Sequence, residues 1–114
     1  CMDGETVRIA TNLRKGVLEF CVLGLLVGRP RYGFELAQSL HGAGLIASDG
    51  TLYPLLTRLR DAGFVTSDWS QGDNGRPRRY YALTDDGHRY LAEFRRVWGP
   101  LSVTVNQIVE ETTL

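Results

Sequence analysis

Along the last quarter of the chain, Leu91, Phe94, Trp98, Leu101, Val105 and Ile108 recur at alternating steps of three and four. This is the a/d seam of a heptad repeat, a narrow apolar stripe that a helix turns toward a partner helix. A helix of about 25 to 30 residues, rising about 1.5 Å per residue, is ~40 Å long. A globular domain of about eighty residues is narrower than that. The seam therefore predicts burial against another chain, and hence a homodimer. Thr84-Asp85-Asp86-Gly87 opens the helix, with the threonine hydroxyl as N-cap and two carboxylates at the positive end of the dipole. Gly99-Pro100 interrupts the seam beside Trp98, which predicts either a kink there or two shorter helices.

Upstream, a first helix is expected from about Thr11 to Gly28, capped by Thr11 or Asn12. Leu13, Val17, Phe20, Cys21, Gly24 and Leu25 form one apolar face, and Leu18, Val22, Leu23 and Leu26 a second. A helix apolar on two sides needs two partners, its own core and something else. Gly28-Arg29-Pro30 ends it. A second helix is expected from Gly33 to His41, burying Phe34, Leu36, Ala37 and Leu40 and stopping at Gly42. The glycine-containing connection that follows makes the pair with the next helix a helix-turn-helix candidate.

The third helix begins near Ser48 and ends before Gly63, with Leu52, Leu55, Leu56 and Leu59 as its inner stripe. Its outer face carries Gly50, Pro54, Thr57 and Asp61, flanked by Thr51, Tyr53 and Arg58. Pro54 fits if the first turn starts near Thr51, where backbone N–H groups have no intrahelical acceptor; otherwise it bends the helix. Phe64 to Ser70 and Arg78 to Thr84 have the aromatic and β-branched content of strands, and Gln71 to Pro77 is turn chemistry. A loop longer than a tight hairpin requires is suited to reach a partner.

With 13 basic and 13 acidic side chains, net charge alone says nothing about nucleic acid, so the distribution decides. Between Asn74 and Asp85 lie three arginines and no acid, while Asp85, Asp86, Glu93, Glu110 and Glu111 gather in the last third. The 114 residues suffice for one core and are too few for two. Cys21 sits in an apolar run as a small hydrophobe, and Met2 reads as the natural start with Cys1 an added residue, so no structural disulfide is expected. The opening is polar as far as Asn12, and the apolar run 17–27 carries Glu19 and falls short of the ~20 residues that cross a bilayer. A soluble, cytoplasmic protein with no membrane partner is expected.

Helix, helix, helix, strand, wing, strand, long helix is the order of a winged helix-turn-helix with a dimerisation helix appended. This is an α+β fold, mostly α, with residues 1–10 as an N-terminal tail, 11–84 as the DNA-binding domain and 85–114 as the dimerisation helix. Tyr32-Gly33-Phe34-Glu35-Leu36, Gly50-Thr51-Leu52-Tyr53-Pro54-Leu55, Arg58-Leu59 before Gly63-Phe64-Val65, Gly75-Arg76-Pro77-Arg78, and Tyr80-Tyr81-Ala82-Leu83-Thr84 with Gly87 resemble the PadR family of bacterial transcriptional regulators. The resemblance covers roughly Leu13 to Ile108, and the single terminal helix is similar to the smaller PadR subfamily. It implies a dimeric repressor of detoxification or efflux genes, some members of which release DNA on binding flat aromatic compounds. Gly99-Pro100 departs from the family pattern, in which that helix is continuous.

On this reading Ser48, Gly50 and Thr51 let backbone and hydroxyls approach double-stranded operator DNA, and Tyr53 reaches a phosphate or a thymine methyl. Pro54, Thr57 and Arg58 share that face. Asp49 is expected to cap or to meet a cytosine amino group, and Asp61 to lie beyond the groove. Asn74, Arg76, Arg78 and Arg79, held stiff by Pro77, are expected to meet phosphates or the minor groove. Tyr32 could donate its hydroxyl to the DNA backbone or serve as a core tyrosine. Leu13, Val17, Leu91, Phe94, Trp98, Leu101, Val105 and Ile108 are assigned to the dimer interface. Trp98 beside its two-fold mate is either simple packing or one wall of a slot for a flat aromatic effector, with Phe94, Val97 and Trp69 as further walls.

His41 and His88 lie on different helices with no ligand set at metal spacing, and Gly72 and Gly75 belong to the wing, so no catalytic site, metal or cofactor is expected. Two rivals remain: a winged-helix module facing an acidic protein, and a DNA-binding regulator without a small-molecule sensor.

Overall fold

The computed structural model describes residues 2–72 and 75–110. Helix α1 spans Met2–Leu25, strand β1 Arg31–Tyr32, helix α2 Gly33–Gly42, helix α3 Asp49–Asp61, strand β2 Val65–Gln71, strand β3 Pro77–Leu83 and helix α4 Asp85–Glu110. The sheet is antiparallel throughout in the order β1-β3-β2. The chain is α+β and mostly helical, as its periodicities predict.

The core sits where α1, α2 and α3 meet the base of the sheet. Leu18, Val22 and Leu23 from α1 and Leu26 just after it join Leu36 and Leu40 from α2, the Leu52, Leu55, Leu56 and Leu59 stripe from α3, and Val65, Tyr81 and Leu91. The second apolar face of α1 is thus the core face. Cys21 lies at the core margin, and burial pushes its thiol up from the ordinary value, which disfavours a reactive thiolate.

Helices α2 and α3 end in the same device. Phe64 N–H reaches the Leu59 carbonyl at 3.0 Å and Gly63 N–H the Arg60 carbonyl at 3.0 Å, with Gly63 at φ +87°. Leu45, Leu40 and Gly44 (φ +74°) repeat the pattern after α2. Each closes the orphan carbonyls of its helix with a left-handed residue that glycine adopts without Cβ strain. Thr84 then joins two elements: its hydroxyl donates to the Gly63 carbonyl at 2.7 Å and accepts from Gly87 N–H at 3.0 Å, capping α4 as expected. Gly87 is buried with its α-carbon against the Phe64 carbonyl and the Leu83 side chain, leaving no room for a Cβ.

Four features depart from the expectations. The first helix begins at Met2, so neither Thr11 nor Asn12 caps it and residues 2–10 continue a helix where a tail is expected; the stretch contains no proline, and Gly4 is its one strongly unfavourable residue. Helix α3 starts at Asp49 with Ser48 as N-cap, which places Pro54 inside it and deprives the solvent-exposed Gly50 carbonyl of its usual donor. Helix α4 is one helix across Gly99-Pro100, not two, and Ser102 Oγ donates to the Gly99 carbonyl at 3.0 Å. Strand β1 is too short for any sequence period and exists through its pairing of Arg31 with Tyr81 and Tyr32 with Tyr80.

The molecule extends over 58 × 35 × 22 Å with a radius of gyration of 16.6 Å. A compact chain of this length has a radius of about 13 Å. The excess comes from α1 and α4, which at 24 and 26 residues are the longest elements and reach past the core.

Candidate nucleic-acid interface

The inner stripe of α3 is fully spent on the core, so its other sides are open. Gly50, Thr51, Tyr53, Pro54, Thr57 and Arg58 are all exposed, as is the N-cap Ser48. Asp49 Oδ1 lies within hydrogen-bonding distance of His41 Nε2, at 3.1 Å, tying the first turn of α3 to the last turn of α2. Asp49 is thus held locally, and the N-cap residue Ser48 makes no side-chain capping hydrogen bond. Asp61 lies at the far end of α3, paired with Arg60 at 3.2 Å.

The register of the wing sets Trp69 opposite Arg79, Ser70 opposite Arg78 and Ser67 opposite Tyr81. Paired residues share a face, so Trp69, Arg79, Ser67 and Tyr81 line the side of the sheet that covers the core at its base. Arg79 holds its guanidinium 5.1 Å from the Trp69 ring centre and donates from Nε to Ser67 Oγ at 3.3 Å. On the opposite face Arg78 lies 4.4 Å above the Tyr32 ring, which leans on Tyr80 at 5.6 Å. Arg76 is exposed at the turn, and Asn74 lies outside the described residues.

Tyr32 is the N-cap of α2. Its N–H donates to Glu35 Oε1 at 3.2 Å, while Glu35 Oε2 accepts from Arg29 at 2.9 Å. The Arg29 hydrogen bond is the main cause that holds the Glu35 carboxyl below its ordinary value. Tyr32 is thus half-buried structure as well as a seat for a wing arginine.

One assignment is corrected by these positions. Phe34 is 55% exposed, because the buried positions of α2 are Gly33, Leu36, Ala37 and Leu40, one helical step away. Within the protomer Trp69 borders a hollow of about 280 Å³ together with Phe34, Tyr53, Arg78 and Arg79, between α3 and the wing. The period-two pattern of the wing carried that signal, since residue 69 shares the inward phase of Val65 and Ser67.

The other end of the molecule gathers rings. Phe64 stacks on Tyr90 at 4.1 Å, Tyr90 meets Phe20 at 4.8 Å, Phe20 stacks on Phe94 at 4.3 Å, and Phe94 on Trp98 at 5.7 Å. Leu91 is 4% exposed and belongs to the protomer's own core, so it is unavailable to a partner, and Phe94 is half-spent on Phe20. Val97, Trp98, Leu101, Val105 and Ile108 remain exposed on α4, as does Leu13 on α1, with Val17 half-buried. Among the described residues no group of three His, Cys, Asp or Glu side chains is placed to hold a metal ion, and no helix is long and apolar enough to cross a membrane.

Three helices around a leucine core, a two-stranded basic wing and a long terminal helix define a winged helix-turn-helix protein. The chain belongs to the PadR-like family of transcriptional regulators, whose sequence pattern matches residues 22–93. It is 37% identical to a PadR family regulator from Eggerthella lenta, covering 96% of both chains with a TM-score of 0.83. A transcriptional regulator from Mycobacterium tuberculosis is 43% identical over 65 residues, 57% of this chain and 60% of that protein. Bacillus subtilis PadR, solved in complex with operator DNA, is 28% identical with a TM-score of 0.62, over 68% of this chain and 46% of that one. The protein is a transcriptional regulator and not an enzyme.

Proposed function

We propose that this regulator is a homodimeric repressor that binds a roughly palindromic operator through one α3 per half-site, with half-site centres about one helical turn, ~10 bp, apart. One observation carries the reading: Tyr53 on the exposed side of α3 borders the same hollow as Arg78 and Arg79 of the wing, so reading helix and cationic hairpin address one target. Short groups at Ser48, Gly50 and Thr51 let the start of α3 approach base edges, while the wing arginines meet phosphates or the minor groove. The operator-bound Bacillus subtilis relative supports the same partner.

The exposed seam from Val97 to Ile108, with Leu13 and Val17 beside it, supplies the dimer contact. Solvent-exposed apolar stripes of this extent mark association surfaces. Two Trp98 indoles near the two-fold axis, with Phe94 and Val97, form the slot for a flat aromatic effector. Each Trp98 is the last ring of the stack that ends at Phe64, the residue before β2, so a ligand that moves Trp98 pushes on the root of the wing. Binding there shifts the spacing of the two reading heads and lowers operator affinity.

A mobility shift with promoter and random duplexes tests the DNA assignment. Replacing Arg76 and Arg78 by alanine is expected to weaken binding to every sequence and to flatten the salt dependence by about 0.9 per lost phosphate contact; an unchanged slope refutes the wing's role. Planar cationic dyes are expected to quench tryptophan fluorescence in the wild type and not in Trp98→Ala. A flat titration of the wild type removes the sensor.

A further inference from the structure

Trp69 is 65% exposed, an unusual state for the largest side chain on a wing whose tip is otherwise polar. It is nonetheless ordered by a neighbour, since Arg79 lies over its ring and is itself anchored on Ser67. Phe34, at the start of α2, and Tyr53, on α3, present further exposed aromatic surface to the same hollow. Among the described residues neither Arg78 nor Arg79 has a carboxylate partner, whereas Arg29, Arg60, Arg89 and Arg96 each pair with one. The two wing guanidiniums lie on ring faces instead. A ring under a guanidinium fixes its plane and leaves hydrogen-bonding N–H groups at its edge.

We propose that this hollow seats one sugar–phosphate strand of the duplex, with Trp69 and Phe34 against deoxyribose and Arg78 and Arg79 on the flanking phosphates. The inference rests on the DNA reading above and adds residues to it. If α3 lies in the major groove and the wing reaches the adjacent minor groove, the strand dividing the two grooves runs through the space between them. That space has aromatic walls and cationic edges, which match the C–H-rich sugar and its anionic linkers. Among the described residues no carboxylate borders it. A contact of this kind reads no base, so it positions the protein on any sequence.

The test uses the full-length chain and two readouts. Trp69→Ala is expected to weaken operator and random duplexes by the same factor, about tenfold, through loss of apolar area buried on binding. The salt slope falls as well, because Arg79 loses its seat; Trp69→Phe restores most of both. In a Trp98→Phe background, whose operator affinity is measured first, Trp69 is the remaining tryptophan, and duplex is expected to shield it from acrylamide. A wild-type chain that binds no duplex overturns the DNA reading and this contact with it. A wild-type chain that binds while Trp69 stays equally open to acrylamide, or whose affinity survives Trp69→Ala, overturns the contact alone. Shielding by benzoate and not by duplex also overturns it, by assigning the hollow to a small aromatic anion.

Discussion

In the head of the molecule Leu36, Leu40, Leu52 and Leu56 are completely buried, whereas on the two long helices Leu13, Leu101, Val105 and Ile108 face solvent, Leu13 and Ile108 with about two thirds of their surface. Both regions are helical and both are patterned with apolar residues at helical spacing. They differ in where the complementary surface comes from. The head finds it within one chain, as α1, α2, α3 and the sheet close on one another. The outer parts of α1 and α4 have no such cover in the protomer, and an isolated helix of their length is marginal in water. On the proposed reading, the design separates a self-sufficient reading unit from arms that a second copy would complete, and a ligand between the arms would act without touching the head's core.

The strongest way to break this contrast is to charge the seam. Leu101→Asp combined with Val105→Asp is expected to halve the mass seen by sedimentation at micromolar concentration while leaving the head folded; an unchanged mass puts the partner surface elsewhere. In the head, Leu56→Ala should cost about 2–5 kcal/mol of unfolding free energy through lost transfer energy and the cavity left behind. The loss is expected to be independent of protein concentration, unlike the effect of seam changes. Gly87→Ala tests the joint between head and arm: a Cβ facing the Phe64 carbonyl forces α4 off the sheet, at about 1–3 kcal/mol in thermal unfolding.

The smallest effect is electrostatic. Because Arg29 depresses the Glu35 carboxyl, the Tyr32–Glu35–Arg29 link contributes stability above the ordinary carboxylate range and loses it as pH falls through the lowered value. The difference in melting temperature between wild type and Arg29→Ala should therefore shrink below about pH 4. A difference that persists in acid assigns the effect to packing of the Arg29 stem.

How far these regions were legible in the sequence depends on how local their causes are. The α3 stripe, the Thr84 cap, the glycine stops and the wing follow from spacing and backbone chemistry within a few residues. The two apolar faces of α1 were equally visible, but which one forms the core is decided by what packs there. The sequence sets Trp69 with Trp98 only because both are large and aromatic. Within the protomer, strand phase and register set it toward Tyr53, more than a dozen residues away along the chain. Phe34 is exposed where its hydrophobicity predicts burial, since hydrophobicity does not say on which side of a helix boundary the core begins. Helix at residues 2–10 and continuity through Pro100 went against the cues of a polar opening and a Gly-Pro pair.

By itself the amino-acid order determined the elements, their caps and stops, the family to which the chain belongs, and the existence of a stripe too long for one domain. Those properties arise from interactions between residues close in sequence. Only the tertiary structure decided that Leu91 is core, that the wing arginines rest on aromatic rings, that Asp49 is tied to His41, and that Phe34, Tyr53 and Trp69 border one hollow. Each of these depends on which surfaces meet when distant segments fold together, and no periodicity along a single segment encodes that meeting.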